Sequence, residues 1–338
     1  MSESGGPPPT EKRGQRVKRE RHVEGDRRAI STVADVSIAI LLVVASIAVL
    51  APSLDTPEGD SQPTAAAQTA DTLGASTLTL SYQLDAALES ADSDLVGDTD
   101  RYSEASLTGT SHAPVLGHLA RATLFSLTPG GCRVETPELL PVLGTEFQRT
   151  LDERLQAELV DSSFETSVTA IWRPFEGSSF HGSVTVGQQP PPGVDTSLVT
   201  MSVPAEFPSI RTEAVAAVER GGGYDTVASI AAGGVVEGLF PLPATQRRLE
   251  GDGVERELAV LKYLRLTGFV DTDTQDGPSV TDSLSRAAAD ARALNDYLRD
   301  RLARQFETTL EATFETADSA ANAVSTGEIS VSVITWEP

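Results

Sequence analysis

Residues 27–52 read RRAISTVADVSIAILLVVASIAVLAP, and this stretch divides the chain in two. From Ala29 to Ala51 there are 23 residues with a single charge, Asp35. As a helix rising 1.5 Å per residue they span about 35 Å, enough for a hydrocarbon core about 30 Å thick. Ile38, Leu41, Leu42, Val44, Ile47 and Leu50 surround such a helix on all sides. It has no polar face for water, so lipid is its natural solvent. Pro52 cannot continue the backbone ladder and ends it. The expected layout is a basic leader over 1–28, a transmembrane helix over 29–51, a Pro-, Ser- and Thr-rich stalk over 52–76 and a large domain over 77–338.

The flanks orient the helix. Residues 1–28 carry eight Lys or Arg against five Asp or Glu, whereas residues 52–79 carry no Lys or Arg at all. Basic residues stay on the cytoplasmic side, so the N-terminus is expected inside the cell membrane and the C-terminal domain outside. The leader is Gly-, Pro- and charge-rich with almost no apolar content, the composition of a disordered tail able to touch anionic lipid headgroups.

Three readings of the apolar run compete. One is a plain single-span anchor. The second is a cleaved export signal, because Arg27-Arg28 precede the run as in twin-arginine signals. Against it, Ala-Ile-Ser-Thr follows the pair instead of hydrophobic residues, and the only small-x-small site near the end is Ser46-Ile47-Ala48. The third rests on Arg28-Ala29-Ile30-Ser31-Thr32-Val33, followed at once by the apolar helix. This resembles the processing site of archaeal type IV pilin-like proteins. The resemblance implies cleavage by a prepilin peptidase next to Ala29, retention of the helix, and packing of that helix against other pilin-like subunits. Asp35 is an acid inside the run. It either reaches the interface near Arg27 and Arg28 or pairs with a neighbouring subunit.

Residues 29–338 hold 18 basic and 44 acidic side chains, a net of −26, and Lys262 is their only lysine. The composition resembles that of proteins from extreme halophiles. Near-molar salt cuts the screening length to about 3 Å, so a dense carboxylate surface stays hydrated at little cost to folding. Nucleic acid is excluded as a partner, since phosphate would meet repulsion everywhere except the leader. One cysteine, Cys132, permits no internal disulfide.

Along the domain, TLTLSYQL (77–84) alternates like a strand and leads into an acidic loop over 87–109. Helices are expected over 113–127 and from Thr136-Pro137-Glu138 to about Val160, the second striped by Leu140, Leu143, Phe147, Leu151, Leu155 and Leu159. Strands follow at 164–172, 180–186 and 197–203, with Gln189–Gly193 turning the last two against each other in an antiparallel meander. A helix over 209–219 stops at Gly221-Gly222-Gly223. A buried apolar helix over 224–240 carries Gly234-x-x-x-Gly238, and helical sequence fills 244–267. One long amphipathic helix is expected over 282–324, then a closing strand ending near Trp336.

No Gly-x-Ser-x-Gly elbow, His-Glu-x-x-His or Walker loop is present. His112 and His118 are six residues apart and would not share a helix face. Asp271, Asp273 and Asp276 approach a calcium loop, but the glycine falls one place late and no glutamate closes it; Asp92, Asp94, Asp98 and Asp100 fit less well. No catalytic residue, metal site or cofactor is assigned, and the protein is not expected to be an enzyme. The fold class expected is α+β: one N-terminal transmembrane helix, then an acidic extracellular domain with an antiparallel sheet and a long C-terminal helix. Together these features resemble haloarchaeal pilin-like membrane proteins. The resemblance implies a non-catalytic subunit or accessory of a type IV pilus-like filament or secretion apparatus. The alternative is a membrane-tethered protein that binds a ligand or partner outside the cell. A surface hydrolase using a carboxylate pair comes third.

Overall fold

The structure, a computed structural model, describes residues 64–91, 93–129, 141–159, 163–270 and 280–338. The leader, the apolar run, the motif Arg28 to Ser31 and Asp35 lie outside the described residues, as do Asp92, Cys132, Thr136 to Glu138 and the Asp271–Asp276 turn.

The stalk expectation is corrected over its last part. Helix α1 (Ala65–Ala75) is capped by the Thr64 hydroxyl, which accepts the Ala67 N–H at 3.3 Å. Its buried residues Ala66, Ala70 and Leu73 fall on one stripe. Composition suggested a linker there; the periodicity of TAAAQTADTLGA makes it a helix instead.

Strand β1 (Thr77–Gln83) pairs antiparallel with β2 (Thr108–Pro114), from Thr77 opposite Pro114 to Gln83 opposite Thr108. The expected acidic loop between them holds two short helices, α2 (Asp85–Glu89) and α3 (Glu104–Leu107), and a 3-10 turn at Thr99–Arg101 capped by Asp98. Strand β2, TGTSHAP, went unseen in the sequence because only Ser111 of it is buried, leaving no apolar alternation to read. Helix α4 (Val115–Phe125) follows directly after Pro114.

The main sheet contains β3 (Leu127–Pro129), β4 (Glu165–Trp172), β5 (Phe180–Gly187), β6 (Thr196–Pro204) and β7 (Glu328–Trp336), in the order β3-β5-β4-β7-β6. All neighbours are antiparallel. The expected meander fails at one joint. Strands β5 and β6 do not pair: β3 takes the free edge of β5, and β6 lies beyond β4 and the C-terminal β7. Burial explains the choice. Ile329, Val331, Val333, Thr335 and Trp336 of β7 are all buried, which suits a central strand; β6 buries only Val203 and leaves Leu198 59% exposed, which suits an edge. The loop over 188–195 is long enough to step across two intervening strands, spaced about 4.8 Å apart.

Helices α4 and α5 (Pro141–Leu159) pack on the β4–β5 side of the sheet, with Phe147, Leu151 and Leu155 fully buried. Trp172 anchors the sheet core: its Nε1 donates to the Thr326 carbonyl at 2.7 Å and its ring meets Phe207 edge-on at 4.8 Å. The remaining helices are α6 (Arg211–Glu219), α7 (Tyr224–Leu239), α8 (Leu242–Glu250), α9 (Val254–Val270), α10 (Val280–Leu284), α11 (Ala291–Thr313) and α12 (Ala317–Ala323). Helix α7 packs along α11, whose Leu294, Leu298, Leu302, Phe306 and Leu310 form one buried stripe. The small pair Gly234 and Gly238 admits a close neighbour: a Cβ on Gly238 would stand 2.0 Å from the Phe207 ring.

The single helix expected over 282–324 is broken twice. Asp290 caps α11 by accepting the Ala293 N–H, and Thr316 with Ser319 forms a capping box that starts α12 after Phe314 turns extended. Both caps are visible as residue types, but the apolar period runs across them. Among the described residues no single helix is long and apolar enough to cross a membrane. The pair α7 and α8 passes together on length and composition, yet it bends by 46° and α7 has eight buried residues.

Candidate functional site

Helix α9 carries four buried or half-buried charges, Arg256, Glu257, Lys262 and Arg265, and the domain treats Glu257 and Lys262 differently. Glu257 is fully buried. Its Oε2 accepts the Gly97 N–H at 2.8 Å, and its Oε1 accepts from Arg101 and, at 3.3 Å, from the Tyr102 hydroxyl. Arg256, also buried, donates to Glu257 at 3.3 Å and to the carbonyls of Leu95 and Leu284 at 3.4 and 3.0 Å. This network ties the segment after α2 and the end of α10 onto α9. A carboxylate with that many donors is a clasp, with no lone pair aimed at an open space.

Lys262 lies five residues further on, about 140° around the helix from Glu257. It lines a cleft of about 380 Å³ bounded by α8, α9, the end of α7 and the β1–β2 pair. Its lining is largely apolar, including Leu84, Phe125, Leu239, Phe240 and Leu258, with Arg248 and Glu255 as the other charges. The back wall is fixed, because Phe240 stacks on Tyr263 at 3.9 Å, the Tyr263 hydroxyl donates to Asn295 at 2.6 Å, and Asn295 donates to the Phe240 carbonyl at 2.9 Å.

Among the described residues no group hydrogen-bonds or ion-pairs with the Lys262 ammonium. Its cationic neighbours are already engaged: Arg248 faces Glu255 at 3.8 Å, and Arg121 donates to Ser111 at 2.8 Å and to Glu206 at 3.2 Å. Burial above all, with Arg248 and to a smaller extent Arg121 beside it and Glu206 opposing, pulls the Lys262 pKa down from 10.5 to about 8. Near neutral pH the amine is therefore mostly charged, with Glu206 acting on it at a distance and no described anion in direct contact.

The histidines do not assemble. His118 is buried in α4, where its Nε2 donates to the Leu78 carbonyl at 3.0 Å and burial lowers its pKa. His112 is exposed on β2 with its ring nitrogen 2.8 Å from the Thr79 hydroxyl, and His181 contacts the Ser179 carbonyl. Among the described residues no group of three or more His, Cys, Asp or Glu could hold a metal ion. Asp94, Asp98 and Asp100 are exposed, and Asp98 is occupied as a turn cap.

Sequence reasoning noted Lys262 as the lone lysine of the domain but not as a site. The missed signal was its setting, a lysine inside LAVLKYLRL in a domain whose other basic residues are all arginine.

A family profile matches residues 34–336, most of the chain. The chain belongs to DUF7284, a family of unknown function. The DUF7284 match takes in the apolar run from Ala34 onward together with Glu257 and Lys262, and it leaves out Arg28 to Ser31. No curated protein and no solved structure matches the chain.

Proposed function

We propose that this DUF7284 protein is a membrane-anchored, non-catalytic surface protein, pilin-like or accessory to a type IV pilus-like filament or secretion apparatus. Its N-terminus is cytoplasmic and its acidic domain faces outward. The observation that carries the reading is the Ala29–Ala51 run, 23 residues with one charge, placed directly behind the basic Arg28 and the small Ala29. Two findings support it. The family match includes the run from Ala34, so that part belongs to what the family shares in profile. The described residues from α1 to β7 also build a continuous hydrophobic core. Membrane lipid and other pilin-like subunits are the partners of the run; the net charge of −26 beyond residue 28 speaks against nucleic acid.

Sequencing the mature N-terminus from native membranes tests this. A start next to Ala29, lost when Arg28 and Ala29 are replaced, is the expected result. An intact start at Met1 or Ser2 overturns the pilin-like reading and leaves a plain anchor.

The Lys262 cleft favours a second reading, a tethered domain that captures a ligand. An unpartnered cation against an apolar wall is the arrangement of a binding pocket, and about 380 Å³ falls within the range of about 300–1,000 Å³ that small-ligand sites occupy.

A further inference from the structure

We propose that the Lys262 cleft is a binding site for a small carboxylate with a compact apolar body, its head on the lysine ammonium and its body against Leu239, Phe240 and Leu258. The proposal deepens the tethered-binding reading and is independent of how the N-terminus is processed.

Three features select this ligand class. First, the site offers one free positive charge. Arg248, the other cation of the cleft, already has Glu255. One unanswered cation matches a monoanion; a phosphate dianion would ask for several donors and meet the acidic field of the domain. Second, the lining divides by chemistry. The hydroxyls of Ser106, Thr108 and Thr110 come from α3 and β2, whereas Leu239 and Phe240 at the end of α7 and Val254, Leu258 and Ala259 of α9 supply most of the apolar residues, joined by Leu84 and Phe125. A ligand polar throughout would leave the apolar side unmatched, and a ligand apolar throughout would bury the ammonium without a partner. Third, the cost of the cation is otherwise unexplained. Glu257, on the same helix, shows that this domain satisfies a buried charge when the charge is structural. Lysine is otherwise missing from residues 29–338, so Lys262 stands apart from the arginines as a compact point charge, in a cleft whose Phe240 is held from behind by Tyr263.

The test is calorimetric titration of the full-length protein in detergent at pH 7, with 3-methylbutanoate and its neutral isostere 3-methylbutanamide. The two differ in charge and hardly in shape. The wild type should bind the acid roughly tenfold or more tighter than the amide, the range of a charge-assisted hydrogen bond. Lys262→Met should abolish that preference while still melting cooperatively; Lys262→Gln serves if the methionine variant does not fold. Equal binding of acid and amide by the wild type overturns the proposal, as does a preference that survives in Lys262→Met. Failure of 3-methylbutanoate, benzoate and pentanoate alike to bind overturns it too. Binding of inorganic phosphate without any of these carboxylates would show an anion site and overturn the assignment of an apolar body.

Discussion

Glu257 and Lys262 sit five residues apart on one helix, and their surroundings differ in kind. Around Glu257 every approach is filled by a donor, from the Gly97 backbone to the Arg101 guanidinium. Around Lys262 the described residues provide walls and hydroxyls but no ion-pair partner, because Glu255 at the cleft faces Arg248 and the more distant Glu206 faces Arg121. A charge removed from water is costly unless paired, and the two sites resolve that cost in opposite ways. The first resolves it within the fold, and the second leaves it for something that enters the cleft. The lesson is that burial of a charge does not mark function; burial without a partner, beside open volume, does.

The largest effect expected is at the satisfied charge. Glu257→Ala leaves Arg256 buried and uncompensated and cuts Gly97 and Tyr102 loose; it should destabilise the domain by about 3–5 kcal/mol in chemical denaturation. A loss under about 1 kcal/mol would erase the distinction between the two sites. Lys262→Met should act in the other direction, stabilising the domain at pH 7 by about 1–2 kcal/mol, because it replaces a desolvated cation with an apolar chain of similar length.

The sign with pH follows from the depressed pKa. Below about pH 8 both folded and unfolded chains carry the proton, and the folded chain bears the full penalty. Between about 8 and the ordinary 10.5 the unfolded chain holds more protons, so wild-type stability rises with pH and the advantage of Lys262→Met shrinks. Above 10.5 the advantage is gone. An advantage that is constant from pH 7 to pH 11 would place its origin in packing alone.

Smaller effects sharpen the contrast. Arg101 has a 45% exposed side chain, so Arg101→Ala should cost about 1 kcal/mol, far less than the removal of the acid it serves. At the edge strand, Leu198→Ser should change stability by less than about 0.5 kcal/mol, since the side chain is already in solvent.

Much of the architecture was legible in the residues, and the exceptions have physical causes. Strands β4, β5 and β6 and helices α6 and α7 follow directly from apolar period, and Phe147, Leu151 and Leu155 lie where the stripe predicts. Pairing was less legible. A loop of a given length permits a hairpin without requiring one: β3 takes the edge of β5, and β7, more than a hundred residues away, takes the edge of β4 with its buried face and leaves β6 outermost. Caps at Asp290 and Thr316 break a helix that periodicity alone carries straight through. The site was the least legible part. Nothing local to Lys262 distinguishes it from a lysine whose ammonium reaches solvent; the cleft comes from β1, β2 and five helices brought together by the fold. The candidate processing motif Arg28, Ala29, Ile30 and Ser31 has the opposite character, being read wholly from sequence.

The most direct test of the contrast is carbon NMR of lysine labelled at Cε, in the full-length chain, which has only Lys12, Lys18 and Lys262. The account predicts two signals titrating near the ordinary lysine value and one near 8, with 3-methylbutanoate raising that third pKa and leaving the others unchanged. Three ordinary titrations, none of them shifted by the carboxylate, would contradict it.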